Sequence, residues 1–143
     1  MTVALRLTLG AYTLALGWIV FAPAQDAGQV TGIVEVLASW VAGWSELTPS
    51  QAYQPLEFLA NVALFIPFGV LWMLVAPRLH PLAVIGAGFA TSALIEVVQL
   101  ALPSRFSTLS DVIANTLGTT MGVALVMLAR RVGVRSANPE PQT

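Results

Sequence analysis

The chain has 143 residues, of which 57% are apolar and only 9% charged, with a mean hydropathy of +0.80. A soluble domain carries roughly 25% charged residues, so there are too few here to cover a water-facing surface. A net charge of -1 leaves no basic stripe for nucleic acid. The absence of cysteine removes disulfides, thiol nucleophiles and thiolate metal sites together.

In chain order, the first apolar segment runs over residues 5–24, uncharged between Arg6 and Asp26. Its length suits a spanning helix, which needs about 20 apolar residues. Ala22-Pro23-Ala24 resembles a signal-peptide cleavage site. The apolar run is long for a signal peptide and its basic leader is thin, so a retained helix is expected. Residues 28–47 differ, because Val30, Ile33, Leu37, Trp40, Val41 and Trp44 recur at helical spacing while Thr31, Glu35, Ser39 and Glu46 fall elsewhere on the wheel. That pattern predicts an amphipathic helix in the membrane interface. Thr48 to Pro55 reads as a polar turn with two prolines. Three further spans follow over residues 58–76, 81–102 and 109–129, and the tail from Ser136 reads as disordered.

The predicted fold is therefore an all-α integral membrane protein with four transmembrane helices plus an amphipathic interfacial helix. It divides into a first transmembrane helix (1–24), an outer segment (25–57), a three-helix core (58–130) and a disordered cytoplasmic tail (131–143). With the N-terminus inside, Arg6, Arg78, Arg130, Arg131 and Arg135 are cytoplasmic and Arg105 alone is outside. That distribution follows the positive-inside rule and puts both termini in the cytoplasm. Trp18 and Trp72 fall near opposite interfaces, as aromatic belts require.

This topology gathers the polar residues at the outer face. Glu57 and Asn61 open the second span, Glu96 and Gln99 lie near the outer end of the third, and Asp111 and Asn115 open the fourth. Arg105 sits in the loop between the last two. Ser92, Glu96 and Gln99 share one helical face, as do Asp111, Asn115, Gly118 and Gly122. Gly118-x-x-x-Gly122 allows close helix contact. A carboxylate in a spanning segment costs about 2.5–3.5 kcal/mol, so it needs a partner or a wet cavity. The structural alternatives are an ion pair from Arg105 to Glu96 or Asp111, a capping role for Asp111 after Thr108, and interhelical hydrogen bonds from Asn61 and Asn115. Glu57, Glu96 and Asp111 could hold a hard cation if they converge, although no metal motif is present. His80 lies in a turn on the opposite side, so no Ser-His-Asp triad is available.

Asn61-Val62-Ala63-Leu64-Phe65-Ile66-Pro67-Phe68-Gly69, then Glu96-x-x-Gln99, Arg105, Asp111 and Asn115-Thr116-Leu117-Gly118 resemble the VanZ-like membrane proteins. The resemblance covers residues 57–123, and the first 56 residues match only in kind. It implies a bacterial plasma-membrane protein, with an effect on susceptibility to glycopeptides of the teicoplanin type as an expectation. It also carries over Asn61, Gln99, Arg105 and Asn115 as substrate-binding residues, with Glu96 and Asp111 as catalytic candidates.

Three functions compete. The first is binding of an amphiphilic ligand such as a lipid-linked envelope precursor or a lipoglycopeptide, with Arg105 on its anion and apolar grooves beside Phe65 and Phe68 for its chain. The second is a membrane-embedded enzyme with Glu96 and Asp111 as acid–base groups and Arg105 as anion binder. The third is an ion-coupled carrier, disfavoured because the inner half has no acidic layer to complete a path. The expected surroundings are the lipid bilayer, with no cofactor and no nucleic acid.

Overall fold

The computed structural model describes residues 3–21, 24–100 and 109–137; the side chains of 20–31, 33 and 134–137 are not among those described. Five helices follow in order: α1 Val3–Phe21, α2 Ala24–Gly43, α3 Pro49–Val75, α4 Pro81–Gln99 and α5 Leu109–Ala137. Among the described residues three stretches are long and apolar enough to cross a membrane, Pro49–Val75, Pro81–Gln99 and Leu109–Gly133. The apolar stretches Val3–Ile19 of α1 and Val34–Gly43 of α2 are shorter.

Two sequence expectations are corrected here. Thr48 to Pro55 is the start of α3 rather than a turn. Thr48 is its N-cap, with the hydroxyl accepting from the Gln51 backbone and the Gln51 side chain returning to the Thr48 N–H at 2.8 Å. Pro49 sits at the start of the helix, where its missing N–H costs nothing. This capping box overrides the turn propensity of the prolines. At the other end, 131–137 continues α5 rather than opening a disordered tail. Arg130, Arg131 and Val132 are good or neutral helix formers and nothing breaks the ladder before Ala137. Residues 138–143 lie outside the described residues.

α3 is the hub and packs against all four other helices, most closely against α5. The reason is glycine. A Cβ on Gly118 would meet the Val62 carbonyl, one on Gly122 the Ile66 carbonyl, and one on Gly69 the Thr119 carbonyl. α4 joins at Gly88, which lies against the Thr119 side chain. Above this waist Leu16, Phe65, Phe68 and Ile95 form one buried cluster, and below it Met73, Val84, Val123 and Val126 form another. Tyr12 of α1 donates its hydroxyl to the Leu64 carbonyl of α3 at 2.8 Å. Toward the opposite end, Arg130 donates to the Met73 carbonyl at 2.7 Å, satisfying an acceptor near the end of α3.

The exterior is inverted relative to a water-soluble domain. Leu14, Trp18, Leu59, Phe89, Leu94 and Leu128 are exposed, whereas Ser92, Glu96, Gln99, Asn115 and Thr119 are buried. Apolar surface facing out and polar groups facing in is the arrangement a hydrocarbon solvent requires. This is a multi-pass membrane protein.

Candidate functional site

At the end of the bundle where α3 and α5 begin and α4 ends, a cavity of about 110 Å³ opens between four helices. α3 contributes Glu57, Asn61, Leu64 and Phe65, which fall on one face because they are spaced at i, i+4, i+7 and i+8. α4 adds Ile95, Glu96 and Gln99, α5 adds Asp111 and Asn115, and α1 adds Ile19. Phe65 and Ile95 belong to the buried cluster beneath, so the polar site stands directly on packed core. Its volume accommodates several water-sized groups, since one water needs only about 10–15 Å³ on this measure.

Hydrogen bonds cross the helices within it. Asn61 Nδ2 donates to Asp111 Oδ1 at 2.7 Å, joining α3 to α5. Asn115 Nδ2 donates to Ser92 Oγ at 2.8 Å, joining α5 to α4. Asn115 Oδ1 is buried without a partner. Tyr53 lies one turn before Glu57 on α3, and Glu57 is near enough to Asp111 for their charges to act on each other. Glu96 and Gln99 are only 7% and 8% exposed. Glu57, Glu96 and Asp111 share the cavity, but no group of three ligating side chains gathers closely enough to hold a metal ion among the described residues.

The structure brings together Asn61, Glu96, Gln99, Asp111 and Asn115, all named from sequence, together with Glu57. Arg105 and Thr108 lie outside the described residues, so the expected pairing and capping roles that involve them do as well. The structural reading holds for Asn61 and Asn115, since both make interhelical hydrogen bonds. Sequence reasoning missed Ile19, which lines the cavity from α1 and carries no local signal.

Among the described residues Phe65 and Phe68 present no exposed face to an apolar chain: both rings are buried and stacked with centroids 5.7 Å apart, and Phe65 borders the polar cavity. Their periodicity serves the α1–α3–α4 contact instead. An apolar groove does open between α4 and α5, lined by Phe89, Leu109, Ile113 and Leu117. His80 caps α4, its Nδ1 accepting from the Leu82 N–H at 3.3 Å.

The VanZ/LLP1 family model matches residues 9–130. The match reaches beyond the 57–123 stretch that carries the sequence resemblance and takes in most of α1 and all of α2. No curated protein and no solved structure matches the chain.

Proposed function

The chain belongs to the VanZ/LLP1 family, and on that premise we propose that it is a bacterial plasma-membrane protein that binds the polar head of an amphiphilic envelope ligand. The ligand class is a lipid-linked envelope precursor or a lipoglycopeptide, and binding it alters susceptibility to teicoplanin-type glycopeptides. In this reading α1 is a fourth span, α2 rests in the outer interface, and both termini are cytoplasmic. The observation that carries it is the polar cavity of Glu57, Asn61, Glu96, Gln99, Asp111 and Asn115 at one end of an otherwise lipid-facing bundle. Buried polar groups in a membrane span are expensive and mark sites or pathways.

The chemistry divides between the head and the chain of the ligand. Arg105 lies between Gln99 and Asp111 in the sequence, where its guanidinium takes a phosphate or carboxylate of the head in a bidentate pair. Gln99 and Asn115 orient polar groups within the cavity. The groove at Phe89, Leu109, Ile113 and Leu117 offers a place for a hydrocarbon chain at the same end of α5.

The test is teicoplanin susceptibility of a susceptible host expressing the protein, compared with Arg105→Ala, Asp111→Asn and Glu96→Gln at equal abundance. The expected result is protection by the wild type and its loss in the variants. Equal susceptibility with and without the wild type would remove the resistance role for that host and drug. If Glu96→Gln lost protection while binding the ligand as tightly as the wild type, Glu96 would be assigned an acid–base role in turnover instead.

A further inference from the structure

The end of the bundle away from the cavity carries cations without carboxylates. Residues 1–25, 58–95 and 112–139 contain no aspartate or glutamate, yet they hold Arg6, Arg78, Arg130, Arg131 and Arg135. α1 runs from this end toward the cavity, where Ile19 lies, so Arg6 belongs here with the others. The described acidic side chains stand at the opposite end. Glu35 lies beside Ser50 and Tyr53, Glu46 just precedes the Thr48 cap, and Glu57, Glu96 and Asp111 line the cavity.

The fold brings two of these arginines toward one seam. Val123 and Val126 bury one face of α5, and Arg130 follows a turn later on the same face. It donates to the Met73 carbonyl at 2.7 Å, which sets its guanidinium at the seam of α3 and α5. That bond uses one of five N–H donors, and the side chain stays exposed. α3 ends at Val75, and Arg78 stands exposed in the turn that follows. Arg131 and Arg135 are spaced i, i+4 on α5, where like charges repel. Leu74, Leu79, Leu128 and Val132 are exposed at the same end, as a surface that meets lipid.

We infer that Arg78 and Arg130 hold the phosphate of an anionic phospholipid in the leaflet at this end, with Arg131 adding charge. The inference does not use the cavity and stands independently of the binding reading above. A guanidinium fork matches two phosphate oxygens. A zwitterionic phospholipid presents the same phosphate but brings its own ammonium, so it leaves the charge of the arginines uncompensated. A soluble phosphate would meet the arginines but not the apolar side chains around them, so the occupant is a lipid.

The full chain is reconstituted into vesicles of phosphatidylglycerol and phosphatidylcholine in equal amounts. It is then extracted in mild detergent, and the retained phospholipid is measured by mass spectrometry. The expected result is retention of phosphatidylglycerol over phosphatidylcholine by about tenfold, as two arginines at a membrane surface supply. Arg78→Gln and Arg130→Gln should each remove most of that preference. Arg78 lies exposed in a turn, so its variant folds even where loss of the Met73 bond destabilises Arg130→Gln. Arg6→Gln removes an exposed cation from the same end, but from α1, and should leave the preference in place.

Preference intact in both Arg78→Gln and Arg130→Gln would overturn the assignment. An equal loss in Arg6→Gln would overturn it too, because the preference would then belong to the net charge of that end and to no site. Equal retention of both phospholipids by the wild type would overturn the inference and leave the cavity reading standing. Millimolar inorganic phosphate in the wash should leave the phosphatidylglycerol bound. If it stripped the lipid, a free phosphate would be the occupant and the lipid assignment would fall.

Discussion

Asn61 donates to Asp111 across the cavity at 2.7 Å, from an amide to a carboxylate. A carboxylate acceptor strengthens a hydrogen bond, but in membrane proteins the unfolded chain also finds partners, so interhelical bonds average about 0.6 and reach about 1.7 kcal/mol. A double-mutant cycle of Asn61→Ala and Asp111→Ala should therefore give a coupling of about 1 kcal/mol, read from unfolding in mixed micelles. A coupling near zero would mean that the pair does not hold α3 to α5. The neighbouring Asn115–Ser92 bond joins a different pair of helices. The two amides thus tie α5 to both of its neighbours at the level of the site.

At the scale of elements, the contact of α3 with α5 places Asn61 beside Asp111, and it depends on three glycines. At Gly118 and Gly122 an added Cβ would run into backbone carbonyls of Val62 and Ile66, which cannot rotate away as a side chain can. Gly118→Leu and Gly122→Leu should each prevent this packing and sharply lower the yield of folded, monodisperse protein. Gly86 is the control, for nothing lies within 4 Å of its Cβ position. Gly86→Ala should raise the thermal midpoint, through a helix-propensity gain of up to about 1 kcal/mol. The opposite signs, measured side by side in one detergent, separate close approach from propensity. Destabilisation by Gly86→Ala of the same size as by Gly122→Leu would sink the distinction.

At the scale of the molecule, the polar cavity lies at one end of the bundle and Arg130 lies toward the other, donating to Met73. Arg78, in the connection from α3 to α4, and Arg131 are exposed near the same end as Arg130. Under the proposed topology, in which arginines are retained in the cytoplasm, the cavity would open outward. A phosphatase reporter that is active only outside the cytoplasm should be inactive when fused after Thr143 and active when inserted after Leu47. A fluorescent protein that folds only in the cytoplasm should report the reverse. Phosphatase activity at the C-terminus would invert the topology and turn the cavity to the cytoplasm.

Much of this was legible in the sequence because the membrane constrains composition so strongly. Long apolar runs must be helices, as backbone groups have no other partners in hydrocarbon, and carboxylates within them must be buried together. Hence Asn61, Glu96, Gln99, Asp111 and Asn115 could be expected at one level once the arginine distribution had set the topology and spacing had set the helical faces. The signals that misled were local and competed with one another. Proline at 49 and 55 suggests a turn until the Thr48–Gln51 capping box turns the same residues into the start of α3. Phe65 and Phe68 look available to a ligand until α1 and α4 cover them with Leu16 and Ile95. By itself the sequence determined that the chain is helical, inverted in polarity and acidic at one end, because those properties follow from residue type and period. Only the tertiary structure decided which polar atoms pair across helices, that Asn115 Oδ1 is left over, and that α3 is the hub. Those depend on how closely two backbones approach, which the side chains of four helices set jointly.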